Sequence, residues 1–168
     1  MKQEAENISK VYTMKSFEET DIPEIYQLCI GNPTYYKYMN IEPTYENLKE
    51  CLTALPDGKT MQDKTFVGFY DEGRLLALLD LIYHYPDEKT AFIGWFMMNK
   101  ERQGKGVGTA IVEEIFTFLK EKGYYYVRLG YVKGNEESRC FWTKNGFAPI
   151  GVECETKHHT VVVMQREL

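Results

Sequence analysis

The amino-acid sequence predicts a mixed α/β (α+β) fold: one domain with a central sheet flanked by helices. Apolar residues recur in about seven strand-like segments, several of them joined by short turns, which favours a mostly antiparallel twisted sheet. About four further segments carry apolar residues at helical spacing. The predicted order is β-α-α-β-β-β-α-β-α-β-β. Neither a linker nor a repeat interrupts this order, so residues 1–168 are predicted to form a single domain.

Composition and charge argue against several classes of protein. The 168-residue chain is 43% hydrophobic and 14% aromatic, which is typical of a folded globule with a core. Its net charge of −5 disfavours nonspecific nucleic-acid binding. Residues 1–10 lack the apolar segment of a signal peptide, and no apolar run reaches the roughly 18 residues of a membrane span. We therefore expect a soluble cytoplasmic protein that binds neither nucleic acid nor membrane.

The thiols and imidazoles of the chain do not predict a metal centre. The four cysteines and three histidines are not arranged at metal-ligand spacing. The cysteines lie far apart in apolar or helical contexts, so we expect reduced and mostly buried thiols. They are Cys29, Cys51, Cys140 and Cys154.

The first third of the chain predicts a strand and two helices. Residues 8–17 alternate loosely and are predicted to form the opening strand. Asp21 and Glu24 have the spacing of a capping box and predict a helix through about Cys29. Thr44 is predicted to cap a second helix, which Pro56 and Gly58 then end.

Between these two helices lies Tyr35–Met39, which is dense in aromatic residues but has no clear period. We interpret it as a partly buried connector. The alternative is a wall of the substrate site, because connectors are often exposed and mobile.

The remaining helices and strands are predicted from the positions of turn residues and from the spacing of apolar residues. Three strands in succession are predicted at 65–70, 74–85 and 90–99; they alternate little, so both faces of the sheet are expected to be covered. A helix then carries apolar residues from Ile111 to Leu119 and stops at Gly123. A strand at 124–132 and a short helix capped by Asn135 come next. The last two strands are predicted at 147–156 and 159–166.

A glycine-rich loop, Gln103-Gly104-Lys105-Gly106-Val107-Gly108-Thr109, separates the third of those strands from the long helix. Bare glycine backbone and a helix N-terminus together can cradle an anion such as a phosphate. A Walker P-loop is excluded because no Lys-Ser/Thr pair follows the glycines. A dinucleotide fingerprint would need glycine at position 109, which is Thr, and a place after the first strand. The loop fits Gln103-x-x-Gly106-x-Gly108 instead.

A second motif begins about thirty residues further on. It runs Asn135-x-x-Ser138-x-x-Phe141-Trp142-x-x-Asn145-Gly146-Phe147. With the glycine loop, it resembles the two signatures of the GNAT superfamily of N-acyltransferases, and the order of elements resembles that fold over essentially the whole chain. The resemblance implies that acetyl-CoA is the cosubstrate and that no metal takes part.

The resemblance also implies which residues hold acetyl-CoA. The loop amides would bind the pyrophosphate, and the pantetheine arm would lie where the strands on either side of the loop and its helix splay apart. The backbone N–H of Met98 falls where the family polarises the acetyl carbonyl. The residues implied in cofactor binding are Met98, Lys100, Gln103, Gly104, Lys105, Gly106, Val107, Gly108, Thr109, Asn135, Phe141 and Trp142.

The family's usual general acid is replaced in this chain. Its position in the second motif holds Trp142 instead of Tyr, and an indole N–H donates a hydrogen bond without releasing its proton near neutral pH. Tyr131, expected on the strand beside the thioester, is the first substitute and Cys140 the second. Alternatively, Tyr131 is a structural aromatic and the thiolate leaves unassisted.

For the proton acceptor, the sequence offers Asp80 within an apolar strand, where a lone carboxylate is costly to bury. It could accept an ammonium or relay a proton, with His84 on the same strand face as a second candidate. The alternatives are that Asp80 caps a bulge or pairs with a Lys or Arg, and that His84 merely ends the strand. His158 and His159 are expected in a turn.

The function that the resemblance implies is acetyl transfer from acetyl-CoA to a primary amine of a small molecule or peptide, by direct attack in a ternary complex. A different class is a catalytically silent acyl-CoA-binding sensor on the same fold, which Trp142 makes conceivable. A third is a nucleotide-binding or interaction module. Family members often form homodimers, and the sequence neither requires nor excludes one.

Overall fold

The computed structural model describes residues 7–168, which contain five α-helices and seven β-strands. The helices are α1 (Ile22–Ile30), α2 (Pro33–Met39), α3 (Tyr45–Cys51), α4 (Val107–Glu121) and α5 (Glu136–Lys144). The strands are β1 (Thr13–Ser16), β2 (Lys64–Asp71), β3 (Arg74–Ile82), β4 (Thr90–Met98), β5 (Tyr126–Val132), β6 (Ala148–Glu155) and β7 (Thr160–Glu167).

All seven strands form one sheet in the order β1-β2-β3-β4-β5-β7-β6. Neighbouring strands are antiparallel except β4 and β5, which run parallel. The parallel pair is connected through α4, as parallel strands require a long crossover. The predicted mixed, mostly antiparallel sheet is confirmed.

The sheet opens between β4 and β5. These strands pair only from Thr90 with Tyr126 to Ile93 with Leu129. Beyond that point β4 continues along β3 to Met98, whereas β5 continues along β7 to Val132. A wedge-shaped gap therefore begins after Ile93, at the carboxyl ends of both strands.

A β-bulge in β4 lies at the start of this gap. Asp80 pairs with Trp95 and the next residue, Leu81, pairs with Ile93, so Gly94 is the extra residue. An extra residue reverses the side-chain alternation beyond it. Ile93 therefore shares a face of the sheet with Phe96, while Trp95 points to the opposite face.

Each face of the sheet supports its own apolar cluster. The first, on the face covered by α4 and α5, includes residues of those helices and of β2 to β5 such as Val67, Leu79, Ile93, Met98, Ile111, Leu119, Leu129 and Trp142. The second, on the face covered by α1 to α3, includes Phe17, Ile25, Leu28, Cys29, Leu48, Phe66, Leu78 and Met97. Covered faces explain the weak alternation of the central strands.

Several N-terminal predictions need correction. Tyr35–Met39 is helical in α2, because Pro33 provides a favourable first turn and Asn40 ends the helix in the left-handed region at φ 57°. The opening strand is shorter than predicted, since Ser9 and Lys10 instead bind the carboxylate of Glu114. The capping box is formed by Glu18 with Asp21 around a short 3₁₀ turn, and not by Asp21 with Glu24.

The thiols are less buried than predicted. Cys29 is buried and Cys51 is half-buried, but Cys140 and Cys154 are exposed, and all four are free. Within residues 7–168, no group of three or more His, Cys, Asp or Glu side chains is placed to hold a metal ion. In the same part of the chain, no helix is both long and apolar enough to cross a membrane.

Candidate active site

A cleft of about 720 Å³ lies where the C-terminal end of β4 meets the glycine loop, α5 and the junction of α1 with α2. Ten of its lining residues belong to the predicted cofactor set: Met98, Lys100, Gln103, Gly104, Gly106, Gly108, Thr109, Asn135, Phe141 and Trp142. The other lining residues are Asn32, Pro33, Thr34, Tyr35, Phe96, Met97, Glu137, Ser138, Cys140 and Lys144. Lys105 and Val107, also predicted, are not among them; Val107 packs against the core.

The glycine loop presents free backbone amides to this cleft. Gly106 occupies the N-cap of α4 at φ 78°, and no side chain caps this helix. The first helical bond runs from Ala110 N–H to Gly106 O, so the N–H groups of the preceding turn have no partner within the helix. Because α4 has 15 residues, its dipole adds positive potential at this end. The loop can bind an anion, as the sequence predicts.

Glycine at position 108 is needed for close packing. A Cβ atom there would lie 3.3 Å from a ring carbon of Phe141 and 3.5 Å from the side chain of Met98. The absence of a side chain therefore lets α4, α5 and the end of β4 converge on one edge of the cleft.

The backbone of Met98 points into the opening of the sheet. Asn99 N–H donates to Leu76 O at 2.7 Å, so these two residues form a hydrogen-bonded pair of the β3–β4 ladder. Hydrogen-bonded and non-hydrogen-bonded pairs alternate along an antiparallel ladder. The adjacent pair, Ala77 with Met98, is thus of the second kind. Both backbone groups of Met98 face away from β3, towards the gap left by β5.

The carbonyl oxygen of Met98 is occupied by two side chains. It accepts hydrogen bonds from Asn32 Nδ2 and from Gln103 Nε2, each at 3.1 Å. Gln103 Nε2 also donates to Asn32 Oδ1 at 2.8 Å. Two donors fill the two lone pairs of a carbonyl oxygen. Both lone pairs of this oxygen are therefore used within the protein, which leaves the N–H of Met98 as its group facing the gap.

The second motif forms α5 and an aromatic wall. Asn135 Oδ1 caps the helix by accepting from Ser138 N–H at 3.2 Å, as predicted. Phe141 stacks on Phe96 with ring centroids 6.1 Å apart. Trp142 meets Phe96 edge-on at 5.8 Å and is almost fully buried. Trp142 therefore contributes packing that joins α5 to β4.

Tyr131 lies outside the lining residues of the cleft. It belongs to β5 beyond the point where β4 departs, pairs with Val162 of β7, and packs against the cluster under α4 and α5. Its strand still forms the far side of the opening. The general-acid role proposed from the sequence stays a prediction.

Asp80 is held by a buried lysine. Its Oδ2 lies 2.9 Å from Lys64 Nζ, and Lys64 also donates to Ala54 O at 2.9 Å. The Lys64 side chain is 1% exposed and that of Asp80 is 14% exposed. Burial raises the pKa of the Asp80 carboxyl, against the opposing effect of Lys64. The pairing with a basic residue, weighed from the sequence as an alternative, is present.

Asp80 is not among the residues that line the cleft, but its carboxylate lies beside the bulge of β4. Oδ1 is buried without a hydrogen-bond partner among the described residues, as is Trp95 Nε1. A Cβ atom at Gly94 would lie 3.1 Å from Asp80 Oδ2. The carboxylate thus occupies the space left by the missing side chain of Gly94, which is where β4 and β5 separate.

The histidines do not join this group. β3 ends at Ile82, and His84 lies beyond it at φ 52°, so the predicted shared strand face with Asp80 is wrong. Its ring contacts Glu88 O and the Tyr124 hydroxyl, each at 3.0 Å. His158 and His159 lie in the β6–β7 turn, as expected, and His159 Nδ1 is 2.8 Å from Met39 O.

Two residues at or beside the site, Asn32 and Gly94, escaped the sequence-based prediction. Asn32 follows the first predicted helix and Gly94 lies within a predicted apolar strand, and the sequence predicts no role in the site for either residue. Glycine inside a strand often marks a bulge, and this signal could have identified Gly94. Tyr35 belongs to Tyr35–Met39, the segment weighed as a wall of the substrate site, and it lines the cleft from α2.

Three features of the site together define a class of acyl-CoA-dependent transferases. They are the parallel strands β4 and β5 that separate, the glycine loop at a helix N-terminus, and the end of β4 whose backbone faces the opening. The acetyltransferase (GNAT) family model matches residues 24–147, more than half of the chain. The protein therefore belongs to the GNAT acetyltransferase family. This family uses acetyl-CoA.

Individual proteins resemble the chain in sequence or in fold. A tRNA(Met) cytidine acetyltransferase from Saccharolobus islandicus is 33% identical over 87 residues, 49% of this chain but 11% of that protein. The chain thus spans a small part of this relative. An acetyltransferase from Thermus thermophilus shares the fold at TM-score 0.75 and 19% identity, over 94% of this chain and 99% of that chain.

A PaiA N-acetyltransferase from Thermoplasma acidophilum, solved with coenzyme A, has a TM-score of 0.68 at 16% identity. The match covers 92% of this chain and 98% of that chain. Likeness at this level of identity establishes the fold.

Proposed function

We propose that the protein transfers the acetyl group of acetyl-CoA to a primary amine of a small molecule or a peptide. The observation that carries this proposal is the position of Met98: its N–H faces the gap between β4 and β5, beside the free amides of the Gly106–Thr109 turn. An anion site and a carbonyl-binding N–H along one cleft suit a ligand with a pyrophosphate at one end and a thioester at the other.

The cleft residues fit acetyl-CoA. The amides of Val107, Gly108 and Thr109 would hold the pyrophosphate, and Lys105 would add positive charge near it. The arm would lie along the end of β4 beside Phe141 and Asn135, and its thioester carbonyl would meet the N–H of Met98. When bound, acetyl-CoA supplies an activated thioester; the protein residues supply orientation and proton transfer.

Asp80 is the proposed proton acceptor. An amine with an ordinary pKa near 10 arrives mostly as ammonium, and it must lose a proton before it attacks. A carboxylate with a raised pKa is a better base near neutral pH than an ordinary one. Asp80 meets this condition, and its Oδ1 has no competing partner among residues 7–168. Lys64 would hold Oδ2 and so fix the orientation of the group.

Acetyl transfer forms one bond and breaks another. The amine nitrogen forms a bond to the acetyl carbon, the C–S bond breaks, and its electron pair leaves on sulfur. Asp80 first takes the proton of the ammonium and releases it to solvent. The departing thiolate takes a proton from Tyr131, and the second proton of nitrogen, lost as the amide forms, returns to the tyrosinate. Met98 N–H stabilises the oxygen that gains negative charge during the attack. Trp142 would take no part in proton transfer.

The acceptor is proposed to approach from the face of α1 to α3. Trp95 and Met97 turn towards that face, whereas Phe96 and Met98 turn towards the cofactor side. Solved neighbours with the same fold include an enzyme for the N-terminal serine of ribosomal protein L7/L12 from Salmonella typhimurium. A peptide amine and a small amine are therefore both candidates.

A panel of primary amines and peptides with acetyl-CoA, followed by thiol detection and mass spectrometry, tests the proposal. Steady CoA release with an acetylated amine product is expected for at least one acceptor. Tight acetyl-CoA binding without turnover for every acceptor would instead favour an acyl-CoA sensor. Stabilisation by ATP or NAD, but not by acetyl-CoA, would overturn both.

A further inference from the structure

Asn32 makes bonds that its local position does not require. It stands at the N-cap of α2, where an Asn side chain commonly accepts a bond from its own helix. Here it makes no capping bond. Its Nδ2 donates instead to Leu28 O at 2.9 Å and to Met98 O at 3.1 Å. The side chain has therefore turned away from its own helix and towards the cleft.

Asn32, Gln103 and the Met98 carbonyl form a closed ring of hydrogen bonds. Asn32 Nδ2 and Gln103 Nε2 both donate to Met98 O, and Gln103 Nε2 donates to Asn32 Oδ1 at 2.8 Å. Both N–H bonds of the Asn32 amide are used and its oxygen accepts a bond. Asn32 itself is 7% exposed, and Gln103 is half-buried at the edge of the cleft. We name these three residues the amide ring.

The amide ring acts on the residue whose N–H faces the gap. Met98 is the last residue of β4, with β3 on one side and no strand on the other. A strand end with one free edge can twist, which would turn the N–H of Met98 away from the thioester. The carbonyl of Met98 belongs to the Met98–Asn99 peptide plane, which directly follows the plane of its N–H. The two side-chain bonds to this carbonyl, with the bond from Asn99 N–H to Leu76 O, hold that plane in place and so oppose rotation of the strand end at Met98.

We propose that Asn32 is a positioning residue that fixes the Met98 N–H for the acetyl carbonyl and couples α1 and α2 to the cofactor loop. This inference rests on the proposed function, since it assigns a purpose to the oxyanion contact. Asn32 connects Leu28 at the end of α1, Met98 at the end of β4 and Gln103 at the start of the loop. A shift of α1 and α2 on acceptor binding would therefore reach the Met98 carbonyl directly.

The test compares Asn32→Ala with wild type and with Ser9→Ala. Ser9 is also buried and holds polar bonds, to Glu114 and two backbone N–H groups, but it lies outside the cleft. Asn32→Ala is expected to lower kcat by about tenfold to a hundredfold, as for a misaligned oxyanion donor, while the KM for the amine changes less than about twofold. Ser9→Ala is expected to lose stability and keep its kcat.

A binding measurement separates positioning from general damage. S-ethyl-CoA has the shape of acetyl-CoA but lacks its carbonyl oxygen. Wild type should bind acetyl-CoA about threefold to tenfold more tightly than S-ethyl-CoA, the ratio that one hydrogen bond provides. Asn32→Ala should bind the two equally. Nuclear magnetic resonance of the Met98 amide in the free protein should show a shifted or broadened signal in the variant.

The possible outcomes are distinguishable. A wild-type kcat and a wild-type binding ratio in Asn32→Ala would overturn the inference. If Asn32→Ala does not fold, Gln103→Leu removes the second donor to the same carbonyl and must show the same loss of ratio. Failure of the wild type to bind acetyl-CoA at all would overturn the proposed function, a result distinct from either of these.

Discussion

The carboxylate of Asp80 lies directly beside Gly94, such that a Cβ atom at Gly94 would be 3.1 Å from Asp80 Oδ2. This distance is shorter than most Cβ contacts in proteins, so the neighbour must move by a few tenths of an ångström. The two residues belong to β3 and β4 at the bulge that precedes the opening of the sheet. The space for the carboxylate depends on the missing side chain.

Gly94→Ala should therefore impair use of the amine without affecting cofactor binding. We expect kcat/KM for the amine to fall about tenfold, because the proposed base is displaced from the opening. The Kd for acetyl-CoA, measured by calorimetry, should stay within about twofold, which serves as the internal control. Equal losses in both quantities would show that the bulge shapes the cofactor side instead.

Asp80→Asn should lower both stability and amine turnover. It removes the countercharge of the buried Lys64 ammonium, which then has only neutral acceptors such as Ala54 O among the described residues, and breaking a buried ion pair costs about 3 kcal/mol. Replacing both members, Asp80→Leu with Lys64→Met, should restore much of the melting temperature. A stable but inactive double variant would support the catalytic role; a stable and fully active one would refute it.

The same carboxyl predicts how pH affects the protein. Its pKa is raised by burial, so the folded state holds this proton more tightly than the unfolded state does. The contribution of Asp80 to stability is thus present below the ordinary carboxyl pKa and is lost as pH rises through the raised value. For the free enzyme, kcat/KM should rise through that same raised value, and this rise should be missing in Asp80→Asn.

Gly106 and Gly73 provide a matched pair for testing the loop. Both have positive φ, 78° and 77°, and a Cβ atom at either would meet nothing within 4 Å. Alanine at each position should therefore cost a similar amount, about 1 kcal/mol. Only Gly106→Ala should weaken acetyl-CoA binding, by about tenfold, because the strain would turn the backbone N–H groups of the glycine loop away from the pyrophosphate. If calorimetry gave Gly106→Ala and Gly73→Ala the same affinity for acetyl-CoA, the glycine loop would not be the pyrophosphate site.

The two exposed cysteines report on the cleft. Cys140 lines it, whereas Cys154 lies on β6 outside it. Acetyl-CoA at about ten times its Kd should slow alkylation of Cys140 by iodoacetamide about tenfold and leave Cys154 unchanged. Peptide mapping by mass spectrometry measures both rates in one sample. Cys29 should resist throughout at about pH 8, since burial raises the pKa of its thiol to about 11.

Tyr131→Phe tests the proposed acid. Removal of the hydroxyl should lower kcat about tenfold or more while the Kd for acetyl-CoA stays within about twofold. Tyr125→Phe is the control, because Tyr125 is exposed outside the lining of the cleft. Full activity of Tyr131→Phe would rule out Tyr131 as the acid and leave Cys140 or unassisted departure of the thiolate.

The sequence predicted features that rest on local patterns. Each of these features depends on residues that are close together in the sequence. They are the glycine loop, the helix cap at Asn135, and the strands of the sheet with the turns between them. The amide ring does not depend on such residues, because Asn32 reaches Met98 across 66 residues and Gln103 across 71. Nothing near Asn32 distinguishes it from an ordinary helix end. The sequence also did not predict which face of the sheet each side chain of β4 is on. Both faces are covered by apolar residues, so a one-residue shift at the bulge leaves no sign in the pattern.

The bulge at Gly94 has a consequence for the tolerance of β4 to length changes. Deleting one residue between Ile93 and Met98 would send Trp95 and Met97 to the α4 side and Phe96 and Met98 to the α1 side. The side chains that face the proposed cofactor and those that face the proposed acceptor would thus exchange sides of the sheet. Turns such as residues 72–73 have no such constraint. Insertions and deletions should therefore be accepted in the turns of this protein but never within this half of β4.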